Sequence, residues 1–183
     1  ASAGAVAAMA WTNAKWGKPD ISMTCNGMLA GLVAITAPCA FVAPWASVMI
    51  GTIAGFLVCY SVEYIDRKLK IDDPCGAISV HGVCGTFGVL SVGLFADGTY
   101  PSFGWNGVAG PVKGLFYGGG LGQLGAQAID IVVGFLWAWG INGCFSVIGA
   151  ALVPLVATSF GLPAVVLLGA VASLVAMPAF FSV

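Results

Sequence analysis

The chain holds a single histidine, His81, in a stretch without charged neighbours: Val80, Gly82, Val83 and Cys84 surround it. A neutral imidazole carries one hydrogen-bond donor and one acceptor, and it exchanges protons near neutral pH. That chemistry suits a small polar solute that both gives and takes hydrogen bonds, or one that gives up a proton. In a soluble protein a lone histidine on an apolar face is usually a satisfied core residue. In a helix surrounded by lipid an imidazole is costly unless it faces the protein interior, a cavity or a pore, so a pathway residue is the better reading. Asp130 is a second candidate. It follows Gln123 and Gln127 by seven and three residues, so the three share roughly one helix face. That face reads as an interhelical hydrogen-bonding surface or subunit contact in preference to a polar pathway.

Other reactive chemistry is scarce. Cys25, Cys39, Cys59, Cys75, Cys84 and Cys144 form no C-x-x-C pair and sit mostly in apolar runs. They read as small packing residues, and with one histidine no Cys/His zinc cluster is expected. There is no nucleophile–base pair, and the glycines at 118–122 are not followed by the lysine of a phosphate loop. The sequence therefore predicts no enzyme, no metal and no cofactor. Glu63 reads as interfacial, and Asn26 and Thr36 as interhelical hydrogen-bond formers.

A helix must position His81, and Asp72-Asp73-Pro74 marks its start. Asp73 can cap the first turn while Pro74 takes the first helical position, where its missing N–H costs nothing. A helix from there to about Phe95 would carry His81 ~12 Å beyond Asp73, near the middle of a ~30 Å hydrocarbon core. The composition demands such a core. Of 183 residues 60% are hydrophobic and 7% charged, which excludes a disordered chain and leaves too few charges to solvate a globular surface. Six Lys and Arg against seven Asp and Glu leave no basic field for nucleic acid. The 27 glycines favour helices packed backbone to backbone over a simple lipid anchor.

Apolar runs divide the chain. Ala1 to Thr12 is too short to span and ends near Lys15, Trp16 and Lys18. The second run extends from about Ile21 to Ala37. Pro38 and Pro44 bracket a short turn, and Pro44 suits the first position of a third helix that lasts to about Tyr64. The cluster Asp66-Arg67-Lys68-Leu69-Lys70 reads as a solvated loop. Residues 96–120 read as a long loop rich in glycine, proline and aromatics, followed by a span from about Leu121 to Ile148. The tail from Ala150 to Val183 is apolar but interrupted by Pro154, Pro163 and Pro178. Lys15 and Lys18 are separated by two runs from Arg67, Lys68 and Lys70, so five of the six basic residues share one side, which the positive-inside rule makes cytoplasmic. Trp45, Tyr100, Trp105 and Tyr117 then lie near the outer interface, with Trp11 and Trp16 near the inner one. Gly27 and Gly31, Gly51 and Gly55, and the triplet Gly82, Gly85 and Gly88 offer flat stripes for helix contact.

Two long blocks carry a resemblance. Gly17-Lys18-Pro19-Asp20, Asn26-Gly27 and Leu29-Ala30-Gly31-Leu32-Val33-Ala34-Ile35-Thr36-Ala37-Pro38-Cys39 form the first. Asp72-Asp73-Pro74-Cys75-Gly76-Ala77-Ile78-Ser79-Val80-His81-Gly82-Val83-Cys84-Gly85 forms the second. In this order they resemble the ammonium transporter family (Amt/Mep, related to Rh). Gly93-Leu94-Phe95-Ala96-Asp97-Gly98 and Gly114-Leu115-Phe116-Tyr117-Gly118 extend the match over about residues 1–148.

The resemblance implies an all-α, polytopic transmembrane bundle, specifically the second half of an inverted-repeat fold of eleven helices. Residues 1–148 would be its C-terminal transmembrane helices, from late in helix seven onward, and 149–183 an apolar tail whose structure the sequence leaves open. A missing upstream part is preferred to a cleaved signal peptide, because it accounts for the short first run. The resemblance also implies a homotrimer with one pore per subunit, in the plasma (cytoplasmic) membrane, conducting ammonium or ammonia. His81 matches the pore histidine of the second half. Its hydrogen-bonded partner would come from the remaining N-terminal helices, and membrane lipids would surround the bundle. Asp73 and Pro74 would support the pore helix. The tail carries no charge from Cys144 to Val183, where the family has a charged segment that contacts P-II-type regulators, which puts that partner in doubt. An ammonium sensor on the same fold, and a structural helical fragment without transport of its own, are the alternative readings.

Overall fold

In the computed structural model, residues 1–99, 111–138 and 140 are described. The expectations for Tyr100, Trp105, Cys144, the end of the last span and the tail 149–183 lie outside the described residues. Residues 1–132 form one compact unit, and residues 133–183 a second. In the second, the described residues are helical.

The first run forms helix α1, Ser2–Trp16, three residues longer than its apolar stretch. It stops at Gly17, which takes the left-handed conformation (φ 73°) and donates its N–H to the Asn13 carbonyl, a conformation that glycine adopts without penalty. Helix α2, Ile21–Thr36, begins at Asp20, whose carboxylate accepts the Met23 N–H at 2.7 Å. The Asp20 N–H in turn donates to Thr12 Oγ1 at 3.2 Å, so the cap of α2 is tied to buried Thr12 of α1. Thr36, expected to bond another helix, donates instead to Leu32 within α2.

Helix α3, Pro44–Tyr64, starts at Pro44 as the sequence predicts. The charged cluster after it is not a loop. Ile65–Leu69 winds on as a π-helical turn, and left-handed Lys70 (φ 55°) ends it. The charged side chains from Asp66 to Lys70 all point to solvent, so they satisfy their hydration without breaking the helix. The combined segment Pro44–Leu69 is long and apolar enough to cross a membrane, as are Ile78–Phe95 and Gly120–Ala138. We label the regular α-helical parts of the latter two α4, Cys84–Phe95, and α5, Gly120–Ala138. Helix α2, with 16 residues, is shorter than these spans. Among the described residues between α4 and α5 are an antiparallel bridge, Asp97 to Lys113, and a 3-10 turn, Leu115–Tyr117.

Glycine sets how closely the helices approach. A Cβ placed on Gly4 would lie 2.2 Å from the Gly27 carbonyl oxygen, and one on Gly55 would lie 2.4 Å from the Gly4 oxygen. Backbones of α1, α2 and α3 therefore touch at one node. The node places α1 inside the packing, although its apolar run is too short to span. Farther on, Gly88 of α4 meets Ala34 of α2, with a Cβ only 2.5 Å from the Ala34 oxygen, and Gly93 meets Leu124 of α5. Small buried residues fill the rest of the core: Ala8, Ala30, Ala34, Ala46 and Ala54, with Ile50, Val58 and Cys59. Lys15 of α1 forms an ion pair with Glu63 of α3 and lies 5.7 Å from the Trp11 ring centroid. This pair sets the C-terminal ends of α1 and α3 side by side, so both basic clusters occupy one end of the bundle.

Candidate pore face around His81

The site is built from a turn, a widened helical turn and an α-helix in sequence. Asp73 accepts the Gly76 N–H through its carbonyl at 2.9 Å, closing a turn with Pro74 at its second position. The ring-fixed φ of proline suits that position. Gly76 then adopts φ 69°, which a side chain would resist. It is also wedged between helices: a Cβ there would lie 2.8 Å from Asn26 Nδ2 and 3.3 Å from Val62 Cγ2. Pro74 thus lies in the turn before the helix, and not at its first position. The reason is that Asp-Pro-x-Gly forms a turn of its own, which delays the helix start to Ala77. Asp73 nevertheless caps that start with both oxygens. Oδ1 accepts the Ala77 N–H at 2.8 Å and Oδ2 the Ile78 N–H at 3.0 Å. The helical count from Asp73 to His81 accordingly shortens, since the first residues after Asp73 are not helical.

His81 follows in a π-helical turn, Ile78–Val83. The N–H of Cys84 reaches the carbonyl of Ser79, five residues back, and also that of His81. Ser79 and Val80 are buried on the bundle side, while His81 is exposed on the other. Its ring makes no hydrogen bond among the described residues. The space beside it is free of bulk: a Cβ on Gly82 would meet only Ile78 Cγ2 at 3.9 Å, and one on Gly85 only Val33 Cγ1 at 3.7 Å. Of the three glycines read as a contact stripe, only Gly88 is in tight contact; Gly82 and Gly85 border the open face. Below the turn, Cys84 Sγ approaches the Ala54 carbonyl at 3.7 Å and anchors α4 to α3.

The second candidate lies along one face of α5. On α5 the half-buried residues are Gln123, Leu124, Gln127 and Ile131, and Asp130 is exposed. Glu63 is engaged with Lys15. Sequence reasoning missed Ser79 and Gly76. The first gives no sign in an all-apolar run, but Asp-Pro-x-Gly is a turn signature that could have exposed the second.

A bundle of apolar helices joined at glycines, with several spans and one imidazole on an open face, defines a polytopic helical membrane protein. The comparisons narrow the class. The model of the Ammonium Transporter Family matches residues 1–160, and the chain belongs to that family. Over 140 residues it is 52% identical to ammonium transporter Amt2 of Archaeoglobus fulgidus, covering 76% of this chain and 29% of that protein. Among solved structures it is similar to a Sensor Amt Protein (36% identity, TM-score 0.63, 78% of this chain and 32% of that one). It is also similar to Mep2 of Saccharomyces cerevisiae (27% identity, TM-score 0.67, 76% of this chain and 30% of that one). The chain thus spans under a third of the length of these relatives.

Proposed function

We propose that these helices form the C-terminal part of an ammonium transporter of the plasma membrane, with His81 lining the conducting path of each subunit in a homotrimer. The observation that carries this reading is the placement of the imidazole: without a hydrogen bond among the described residues, on the open side of a helix whose start is held by Asp73. In a complete transporter the N-terminal helices would supply the opposite wall. Ammonium holds its charge in water and loses that solvation in a dry path. A ring nitrogen with a free lone pair can take one proton from ammonium and leave neutral ammonia to pass; alternatively, the ring holds the solute by hydrogen bonds alone. No bond is made or broken in the solute beyond that N–H, so no enzymatic step is proposed.

A second reading has support of its own. The likeness to a Sensor Amt Protein at 36% identity favours a sensor that uses the same fold. Ammonium uptake by the complete protein in proteoliposomes separates the two. Saturable uptake above protein-free vesicles is expected of the transporter. Ammonium binding without uptake would overturn that reading in favour of the sensor.

A further inference from the structure

We propose that the π-helical turn Ile78–Val83 is a positioning device that aims His81 at the open face, an inference that rests on the reading of His81 as a pathway residue. The turn is defined by its hydrogen bond: the Cys84 N–H reaches Ser79 O, where an α-helix would have it reach Val80 O. Each residue in the widened turn therefore advances less around the axis than the ~100° of an α-helix. The anchors on either side are fixed. Asp73 holds the N–H groups of Ala77 and Ile78, and Cys84 and Gly88 pack against Ala54 and Ala34.

Between those anchors the winding decides where the imidazole stands. In an α-helix a residue three before Cys84 would lie only about 60° from the direction of Cys84, which is the packed direction. The widened turn carries His81 past that limit and leaves it exposed, while Ser79 and Val80 both remain buried. A second observation marks the turn as a specific feature. Ser79 is fully buried, yet its Oγ has no hydrogen-bond partner among the described residues. Burying a hydroxyl without a partner costs stability, and π turns occur frequently at functional sites. Gly82, next to His81 with nothing close to a Cβ, keeps the aimed side free of bulk.

The test removes the extra residue. In the complete transporter, deletion of Ser79 lets Cys84 bond Val80 O in an α-wound turn. Uptake is expected to fall at least tenfold, and the residual uptake should show the same altered pH profile as His81→Ala. Restoring the length with alanine (Ser79→Ala) is expected to bring uptake and pH profile back to within about twofold of the wild type. Wild-type uptake and pH profile in the deletion would overturn the proposal. Should the deletion fail to assemble, the winding in an experimental structure of the wild type decides: Cys84 N–H on Ser79 O supports the proposal, and Cys84 N–H on Val80 O overturns it. If His81→Ala itself leaves uptake and pH profile unchanged, the pathway role of His81 fails, and the turn is judged on its winding alone.

Discussion

Two regions of this chain use glycine in opposite ways. At the node of α1, α2 and α3, Gly4, Gly27 and Gly55 let three backbones touch, and a methyl on any of them would strike another helix at 2.2–2.4 Å. Beside His81, Gly82 borders space, and a methyl there would strike nothing nearer than 3.9 Å. One region is closed by the chain itself; the other is kept clear by it. The same residue type therefore marks close packing in one place and open space in the other, and only the surrounding geometry tells them apart. The difference also explains why a chain spanning under a third of its relatives' length holds a packed core and yet, among the described residues, shows only one side of its candidate site.

The contrast can be broken at its strongest point. Gly4→Val should prevent the three-helix contact, costing the upper end of the ~1–3 kcal/mol typical of overpacking, or more, since backbone is what blocks the side chain. Thermal unfolding of the complete protein in detergent checks this, and an unchanged midpoint would mean the helices do not meet at the node. Asp73→Ala comes next. It strips two N–H groups of their acceptor at the start of the His81 helix, at about 1 kcal/mol, with Asp73→Asn recovering part of the loss. The smallest effect is expected on the open side. Gly82→Ala should leave stability within about 0.5 kcal/mol, because the methyl meets no packed neighbour. A large destabilisation would show another helix packed there, and would remove the open face.

Part of this was legible in the residues. Pro44 began its helix and Asp73 capped the next because each acts through its own local chemistry, independent of the fold. Pro74 was misplaced because a turn closed by Gly76 competes with a helix start, and the turn won. The charged cluster 66–70 reads as a solvated loop by its charge alone, although side chains at a helix end can point to water. Gly4 gives no signal in the sequence, because the length of a short apolar run says nothing of its contacts. The π turn had no signal at all: in a run that is apolar on every side there is no periodicity for an inserted residue to disturb. The imidazole itself was conspicuous by composition, but its exposure, and the absence of a facing wall within these residues, needed coordinates.

The central claim is that His81 serves a path and not the packing. Its most direct test pairs ammonium uptake with thermal unfolding for His81→Ala in the complete transporter reconstituted in liposomes. His81 makes no hydrogen bond among the described residues, so the substitution should lower stability by no more than about 1 kcal/mol, the loss of one hydrogen bond to the opposite wall. Uptake should meanwhile fall or change its pH dependence, by as much as ~10²-fold if the ring carries the proton. A variant that unfolds early while transporting normally per folded molecule would contradict the account.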